Sequence, residues 1–263
     1  ELGYTAMTPI QAESLPPLLA GQDVIAQAKT GSGKTAAFGI SLLHQLNARR
    51  FAVQALVLCP TRELADQVAK ELRRLARCID NTKILTLCGG IPMGPQLGSL
   101  EHGAHIIVGT PGRVLKHLQK GSLSLAHLKT LVLDEADRML DMGFHDSIVS
   151  VLQHAPQQRQ TLLFSATYPD AIRKLSTQFQ KNPVTVTVES LHADTLIEQA
   201  FFEVDKKQKT AAVMALLQHY RPDSAVLFCN TKQDCANLAG QLRSAGFHAQ
   251  ALHGDLEQRE RDQ

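Results

Sequence analysis

The octapeptide Ala28-Lys29-Thr30-Gly31-Ser32-Gly33-Lys34-Thr35 lies between a short apolar run at residues 23–27 and a segment at 36–46 with apolar residues at helical spacing. A strand, a glycine-rich turn and a helix that opens on Gly-Lys-Thr form the context of a phosphate-binding P-loop. In such a loop the glycines let backbone N–H groups face a phosphate, and the helix N-terminus adds its positive end. The sequence therefore predicts a nucleotide-phosphate site formed by these eight residues.

Two side chains of this loop have distinct predicted roles. Lys34 is expected to reach the outer phosphates, and the Thr35 hydroxyl is expected to ligate Mg²⁺. The usual first glycine of the pattern is Ala28 here. A chance loop is therefore the alternative, but the flanking strand and helix favour the P-loop.

Composition restricts the possible classes of protein. The chain has 263 residues, of which 44% are hydrophobic and 20% charged, as in ordinary globular proteins. The formal net charge of +2 means that any basic surface is local. No apolar run of about 18 residues and no signal peptide is present, so we expect no contact with a membrane. The five cysteines form no C-x-x-C pair, which indicates free thiols in a reducing compartment and a cytoplasmic location.

Short apolar runs alternate with helical segments from residue 23 to residue 188. This pattern predicts an α/β fold with a parallel sheet that helices cover on both faces. Predicted strands lie at 23–27, 55–59, 84–87, 105–108, 131–133, 161–164 and 184–188, and a predicted helix at 63–76.

A polar interval at 189–195 is typical of a linker, and a second α/β unit follows it. There we predict strands at 201–204, 225–228 and 249–252, and helices at 207–219 and 231–245. The predicted division is a first domain over 1–188, a linker over 189–197 and the start of a second domain over 198–263. Because the chain begins at Glu1 and stops at Gln263 just after a predicted strand, we expect a fragment with an incomplete second domain.

Carboxylates follow the predicted strand at 131–133, in the segment Asp134-Glu135-Ala136-Asp137. Ligands of open α/β sheets bind at this end of the strands. In a P-loop NTPase an aspartate here holds Mg²⁺, which predicts Asp134 as a partner of Thr35, partly through water. Glu135 is then placed to orient or deprotonate the attacking water. The alternative is that the aspartates only open the next helix.

Several predicted helices begin with a basic residue, where the helix dipole disfavours a cation. Such residues stand in Pro60-Thr61-Arg62-Glu63, in Thr110-Pro111-Gly112-Arg113 and in Asn230-Thr231-Lys232. Thr61 and Thr110 fit as N-caps, so ordinary capped helices remain the alternative. If these turns lie along one face of the sheet, they predict a track for successive phosphates. The backbone at Gly89-Gly90 could approach such a track closely.

Ser165-Ala166-Thr167 ends a predicted strand and leaves two interpretations open. Thr167 and Asp170 have the spacing of a capping box. Alternatively, Ser165 and Thr167 hydrogen-bond to the loop that carries Asp134 and Asp137, and so couple the nucleotide state to the second domain.

Read together, these segments resemble the DEAD-box family of ATP-dependent RNA helicases, whose name Asp134-Glu135-Ala136-Asp137 spells. In that family the first residue of the P-loop is not a glycine. Residues 64–68 and 252–263 are most similar to the bacterial DbpA subgroup, which acts on ribosomal RNA. Further matches are Thr8-Pro9-Ile10-Gln11, Phe228-Cys229-Asn230-Thr231, and His253-Gly254-Asp255 through Gln258 and Arg261.

The resemblance implies two RecA-like domains that close on ATP, Mg²⁺ and RNA, and a helicase that unwinds short duplexes in ribosome assembly, as a monomer. It implies that Lys34, Asp134 and Glu135 are catalytic, that Gln11 reads adenine, and that Asp137, Ser165 and Thr167 couple the domains. The implied RNA contacts are Pro60, Thr61, Arg62, Gly89, Gly90, Thr110, Pro111, Gly112, Arg113, Asn230, Thr231, His253 and Gly254. Since the arginine-rich motif of the family is absent, we expect this chain to turn over ATP poorly.

Two other functions remain open at this point. One is a different P-loop enzyme, such as a DNA helicase or a small-molecule kinase, although Gln11 and the two arginines argue against a kinase. The other is an ATP-gated RNA clamp that anchors other proteins. Intact Lys34, Asp134 and Glu135 favour hydrolysis over the clamp.

Overall fold

A computed structural model describes residue 3 and residues 5–188 and 198–256. The chain divides into two compact units, Glu1–Leu191 and His192–Gln263. The predicted linker at 189–197 lies outside the described residues, as do Gln258 and Arg261.

The first unit is built on a seven-stranded sheet with the order β3-β4-β2-β5-β6-β1-β7. Every pairing of neighbouring strands is parallel, as the sequence pattern predicts. The strands are β1 (Val24–Gln27), β2 (Ala55–Leu58), β3 (Ile84–Leu87), β4 (Ile106–Gly109), β5 (Thr130–Asp134), β6 (Gln160–Ser165) and β7 (Val184–Thr187). Each predicted strand of this unit forms, and no predicted end differs from the observed one by more than one residue.

Helices cover both faces of this sheet, because alternate strand residues enter two separate apolar clusters. On one face Val57 and Phe164 pack with Phe38 and Leu72. On the other face Leu56, Leu131 and Leu163 pack with residues of later helices. The helices are α1 (Pro9–Leu19), α2 (Lys34–His44), α3 (Arg62–Leu75), α4 (Gly94–Glu101), α5 (Pro111–Gln119), α6 (Ala136–Asp141), α7 (His145–His154) and α8 (Asp170–Phe179).

The strand order divides the carboxyl edge of the sheet into two halves. Strands β5, β6 and β1 are neighbours, and the segments that follow them are 134–137, 165–167 and 28–35. Strands β3, β4 and β2 are also neighbours, and the segments that follow them are 89–90, 110–113 and 60–62. Because all strands are parallel, both sets of segments lie at the same edge.

The second unit contains α9 (Lys209–Tyr220) and α10 (Lys232–Ser244), close to the predicted helices. The predicted strands at 201–204, 225–228 and 249–252 do not form in the described residues, so that prediction is wrong. A strand exists only through hydrogen bonds to a neighbouring strand, and an apolar run does not supply that partner. Accordingly, Phe228 and Val226 are largely exposed.

Gly109 is predicted to be essential for the fold of the first unit. A Cβ atom at this position would lie 2.3 Å from the backbone oxygen of Leu87 on the neighbouring strand. Because the backbone of β3 must shift, we expect Gly109→Ala to lower the free energy of unfolding by about 2 kcal/mol or more in urea denaturation. Gly98→Ala is the control, since open space surrounds Gly98 in α4 and alanine favours a helix. Equal stability of the two variants would contradict this explanation.

Candidate nucleotide and nucleic-acid site

The loop between β1 and α2 has the backbone of a phosphate-binding turn. Gly31 and Gly33 have φ values of +82° and +95°, in the left-handed region that glycine adopts without strain. Helix α2 begins at Lys34, so its first N–H groups face the loop. The Ser32 Oγ atom is buried and has no hydrogen-bond partner within the described residues, which fits a loop that receives a polar ligand.

Lys34 is buried, and its Nζ atom donates a hydrogen bond of 2.5 Å to the backbone oxygen of Ala28. Burial lowers the pKa of Lys34, and the negative charges of Asp134, Glu135 and Asp137 act in the opposite direction. The structure thus brings Lys34 close to the carboxylates of the segment at 134–137. A cation held beside the loop backbone suits the binding of phosphate.

Gln11 joins helix α1 to the glycine-rich loop. Its Nε2 atom donates to the backbone oxygen of Gly33 over 3.1 Å, and its Oε1 atom accepts from the backbone N–H of Thr8 over 3.0 Å. The second N–H group of the Gln11 side-chain amide makes neither of these hydrogen bonds. Gln11 therefore lies next to the predicted phosphate site, and its role in reading adenine stays a prediction.

Asp134 ends β5 with a carboxyl group that is almost fully buried, at 4% exposure. Burial raises the pKa of Asp134 to about 6, while the Lys34 charge lowers it. One carboxyl oxygen accepts a 3.1 Å hydrogen bond from the backbone N–H of Glu135. The carboxylate is thus poorly compensated by this chain alone and would be stabilised by a cation.

Glu135 has a left-handed backbone, with φ 50° and ψ 52°. For a residue other than glycine this conformation costs free energy and occurs often at functional sites. The Oε1 atom accepts a 3.3 Å hydrogen bond from Thr30 Oγ1, and Oε2 pairs with Arg138 at 3.1 Å. The strained turn therefore directs the Glu135 carboxylate toward the glycine-rich loop.

The two interpretations of Ser165-Ala166-Thr167 can now be compared. Helix α8 begins at Asp170 with Pro169 as its N-cap, so Thr167 does not form the capping box. Instead, Thr167 donates to Asp137 Oδ2 from both its hydroxyl (2.8 Å) and its backbone N–H (2.9 Å). Ser165 Oγ accepts from the backbone N–H of Asp137 at 3.2 Å. Burial raises the pKa of Asp137, but hydrogen bonds to its carboxylate, chiefly those from Thr167, outweigh it and lower that pKa. The bonds of Ser165 and Thr167 with Asp137 fix the turn after β5 to the end of β6.

Thr61 and Arg62 follow strand β2, directly after Pro60. Thr61 caps α3, since its Oγ1 atom accepts a 3.2 Å hydrogen bond from the backbone N–H of Leu64. The Arg62 guanidinium lies over Gly90, where a Cβ atom would be 2.6 Å from Arg62 Nη1. Thr61 therefore caps α3 as predicted, and Gly90 lies close to Arg62. The RNA contacts of Thr61, Arg62 and Gly90 stay a prediction.

Arg113 follows strand β4 in the first turn of α5. Thr110 occupies the N-cap position without a side-chain capping bond, and Pro111 is the first helical residue. Arg113 donates to Gln96 Oε1 (2.8 Å) and to the backbone oxygen of Ile91 (2.9 Å). The turn at 110–113 is thereby attached to the segment that begins with Gly89-Gly90.

The predicted residues of the second unit lie near one another within that unit. Thr231 caps α10 by accepting a 3.0 Å hydrogen bond from the backbone N–H of Asp234. Lys232 pairs with Asp255, and a Cβ atom at Gly254 would lie 3.8 Å from Lys232 Cε. His253 Nδ1 is buried without a hydrogen-bond partner among the described residues. Asn230 directly precedes the cap and is exposed.

The donor set near the glycine-rich loop fits Mg²⁺. In the part of the chain that the structure describes, no group of three or more His, Cys, Asp or Glu side chains could hold a metal by itself. Mg²⁺ binds hard oxygen ligands and is usually held by one or two carboxylates together with substrate phosphates and water. The buried Asp134 carboxylate and the Thr35 hydroxyl are the residues that would hold it.

Sequence reasoning missed several residues of this edge. Gln96 and His117 form a buried hydrogen bond of 3.0 Å beside Arg113. Arg138 pairs with Glu135. The spacing of Arg138 from Glu135, one helical turn, is a signal that could have indicated this pair. Gln96 gave no such signal, because its partners are distant in the sequence.

The fold and this loop geometry define a P-loop NTPase. Residues 8–175 match the family described as DEAD/DEAH box helicase, and residues 208–263 match the helicase conserved C-terminal domain. The chain belongs to the DEAD/DEAH box helicase family.

Known proteins align with nearly the whole chain. It is 60% identical over 263 residues to the ATP-dependent RNA helicase DbpA of Escherichia coli, covering 100% of this chain and 58% of that protein. It is 44% identical to the DEAD-box ATP-dependent RNA helicase CshA of Geobacillus kaustophilus, covering 99% of this chain and 56% of that protein. The crystal structure of a DEAD box protein from Methanococcus jannaschii superposes with a TM-score of 0.67 at 39% identity, over 97% of this chain and 69% of that one. This structural similarity confirms the RecA-like fold. The chain spans less than two thirds of the length of the two helicases from E. coli and G. kaustophilus.

A comparison of Gly33→Ala with Gly31→Ala tests the contact between Gln11 and the loop. Both variants place alanine at a positive φ, which costs about 1–2 kcal/mol each. Only at Gly33 would the new Cβ meet Gln11 Nε2, at 2.6 Å, whereas open space surrounds Gly31. We therefore expect Gly33→Ala to be less stable by a further 1 kcal/mol or so in urea denaturation. In a Gln11→Ala background this difference should shrink, and an unchanged difference would contradict the contact.

The pKa of Asp134 gives a prediction for the pH dependence of stability. Because the folded-state pKa of about 6 exceeds that of the unfolded chain, the folded state binds more protons between about pH 4 and 6. Stability therefore falls as the pH rises through this window. Asp134→Asn stays neutral, so we expect it to exceed the native chain by up to about 3 kcal/mol at pH 8 and by nothing at pH 4. Asp141→Asn, at an exposed position, is the control; a constant difference across the pH range would contradict the assignment.

Proposed function

We propose that this chain is the catalytic part of an ATP-dependent RNA helicase, in which ATP hydrolysis is stimulated by RNA. The observation that carries the proposal is the division of one sheet edge. Strands β5, β6 and β1 present the glycine-rich loop and the carboxylates, and β3, β4 and β2 present Arg62, Gly90 and Arg113. A nucleotide and a nucleic-acid backbone can therefore bind to the same rigid element. The similarity to two ATP-dependent RNA helicases supports this combination.

The nucleotide half supplies groups for phosphoryl transfer to water. Residues 28–35 would surround the phosphates of ATP, with the backbone N–H groups and Lys34 compensating their charge. Mg²⁺, held by Thr35 and Asp134 and partly through water, would supply further positive charge to the β- and γ-phosphates. Glu135, directed toward the loop by its hydrogen bond to Thr30, would orient and deprotonate the attacking water. Gln11 would read adenine from beside Gly33.

The other half supplies contacts for RNA. The segments at 60–62, 89–90 and 110–113 would bind successive phosphates through helix N-termini, close backbone approach and two guanidinium groups. In the second unit, we propose Asn230, Thr231, His253 and Gly254 as further RNA contacts. Contacts of this kind read phosphate and 2′-OH groups more than base edges, so we infer selectivity for RNA with little sequence preference.

The link between the halves would pass through Asp137, Ser165 and Thr167. Their hydrogen bonds join the turn after β5 to the end of β6, so a shift of one turn displaces the other. We infer that this pair of turns reports the nucleotide state to the second domain.

A finer identity belongs to the same proposal. Similarity to DbpA supports ribosomal RNA as the substrate, a role in ribosome assembly and a cytoplasmic location in a bacterium. We also propose that the protein acts as a monomer. Within the described residues, no helix has the length and apolar character needed to cross a membrane. The domain limits at 1–188, 189–197 and 198–263 belong to the same proposal.

ATP hydrolysis tests the proposed function directly. The protein to use is the completed chain, in which these 263 residues are continued with the flanking segments of the E. coli relative. We expect RNA to stimulate hydrolysis strongly and DNA of the same sequence to have little effect. Glu135→Gln should still bind ATP but lose hydrolysis by a factor of about 10² or more, because the water lacks its base. Equal stimulation by DNA would contradict an RNA helicase, and ATP binding without any turnover would favour an RNA clamp.

RNA binding tests the proposed phosphate track. Arg62→Ala and Arg113→Ala should each weaken binding and make the dependence of log K on log salt shallower by about 1, because one phosphate contact is lost. ATP affinity should not change. Arg77→Ala and Lys120→Ala are matched controls, since these exposed residues follow the opposite ends of α3 and α5. If the controls weaken RNA binding equally, the attraction is nonspecific and the proposed phosphate track is contradicted.

A further inference from the structure

Gln96 is a buried side chain in α4 that contacts three other segments of the first unit. It is 5% exposed, although glutamine is usually found at the surface. Its Nε2 atom donates to the backbone oxygen of Cys88 over 3.0 Å. Its Oε1 atom lies 2.8 Å from Arg113 Nη1 and 3.0 Å from His117 Nε2. One amide therefore joins the end of β3, the first turn of α5 and the middle of α5.

The donors and acceptors of this network fix the orientation of the Gln96 amide. Arg113 can only donate, which fixes the oxygen of the Gln96 amide on its side. His117 Nε2 then donates to the same oxygen. Burial, together with the nearby Arg113 charge, lowers the pKa of His117 and favours its neutral ring. The neutral ring has an acceptor at Nδ1, 2.9 Å from Ser122 Oγ, whose single hydroxyl proton can go to Nδ1 or to the backbone oxygen of His117 at 3.1 Å. Every polar atom of the Gln96 amide has a partner.

This network determines where the Arg113 guanidinium lies. One nitrogen donates to Gln96 and the other to the backbone oxygen of Ile91, so two of its five N–H groups are held by the protein. The remaining donors are free of these two contacts, and the side chain is half-buried. A guanidinium held in this way loses less side-chain entropy when it binds a phosphate.

The same amide also fixes the neighbouring loop. Cys88, whose backbone oxygen accepts from Gln96, directly precedes Gly89-Gly90. Gly90 in turn lies against the Arg62 guanidinium, with 2.6 Å between its would-be Cβ and Arg62 Nη1. Gln96 therefore anchors two of the three segments of the proposed phosphate track, and the third, through Arg62, contacts one of these two.

We propose that Gln96 is a positioning residue for RNA binding, which acts by holding Arg113 and does not contact RNA itself. His117 supports it by supplying the second proton to its oxygen. The inference rests on the proposed function, because it requires that Arg113 binds a phosphate. Gln96 lies behind the proposed RNA interface and is not one of the predicted RNA contacts.

A double-mutant cycle tests this inference, with fluorescence anisotropy of a fluorescein-labelled single-stranded RNA on the 263-residue chain. Gln96→Met keeps the shape of the side chain and removes all its hydrogen bonds. We expect it to weaken RNA binding roughly fivefold to tenfold and to make the salt dependence shallower by about 1, as Arg113→Ala does. The double variant should bind no more weakly than Arg113→Ala alone, because both changes remove one contact. Ser99→Ala, at a half-buried position of α4 where the hydroxyl donates to the backbone oxygen of Pro95 in the same helix, should bind RNA normally.

A second variant separates positioning from a general loss of folding. Gln96→Glu keeps an oxygen acceptor for Arg113 and His117 and loses the donor to Cys88, so its salt dependence should stay close to that of the native chain. The salt dependence is informative because partial unfolding lowers the active fraction without changing this slope.

Two outcomes overturn the inference in distinguishable ways. In the first outcome, Arg113→Ala weakens RNA binding, but Gln96→Met leaves the salt dependence unchanged or the effects of the two substitutions multiply in the double variant. Gln96 then does not act through Arg113, and only this inference fails. If Arg113→Ala itself has no effect on RNA binding, the proposed RNA contact of Arg113 fails as well.

Discussion

The parallel pairing of all seven strands is the constraint on which the rest of this structure depends. It places every carboxyl end at one edge of the sheet, where helices begin and their N–H groups lie unpaired. Six of the seven strands end in a segment with a proposed role. The strand order then separates these segments, so that the carboxylates gather beside the glycine-rich loop on β5, β6 and β1. The arginines gather on β3, β4 and β2. The carboxylates at 134–137 and the two arginines are thereby kept in different halves of a single rigid element, and each half is proposed to bind its own phosphates.

Much of the first unit could be predicted because its signals are local. Apolar runs and helical spacing gave the strands and helices, and the glycine-rich loop, Asp134 and the cap of α3 follow from consecutive residues. The contacts that fix the site could not be predicted in this way. Gln11 with Gly33, Thr30 with Glu135, and Gln96 with Cys88 and His117 join segments that only the folded sheet brings together. Sequence spacing contains no information on such pairs.

The second unit shows the limit of strand prediction. Its two helices were correctly predicted, because a helix satisfies its hydrogen bonds within itself. The apolar runs at 225–228 and 249–252 have the composition of buried strands but no ladder in the described residues. Ser165-Ala166-Thr167 was also ambiguous, since a capping box and a bond to another strand use the same residue types. The geometry around Asp137 favours the second possibility.

The account makes nucleotide and RNA binding mutually dependent, because both use one edge of the same sheet and a linked pair of turns. By thermodynamic linkage, RNA must then change the affinity for ATP by the same factor by which ATP changes the affinity for RNA. The most direct measurement is the dissociation constant of a non-hydrolysable ATP analogue for the completed chain, with and without saturating single-stranded RNA. The account predicts tighter binding with RNA, by at least about fivefold. Equal dissociation constants would contradict it, since the two halves would then act independently.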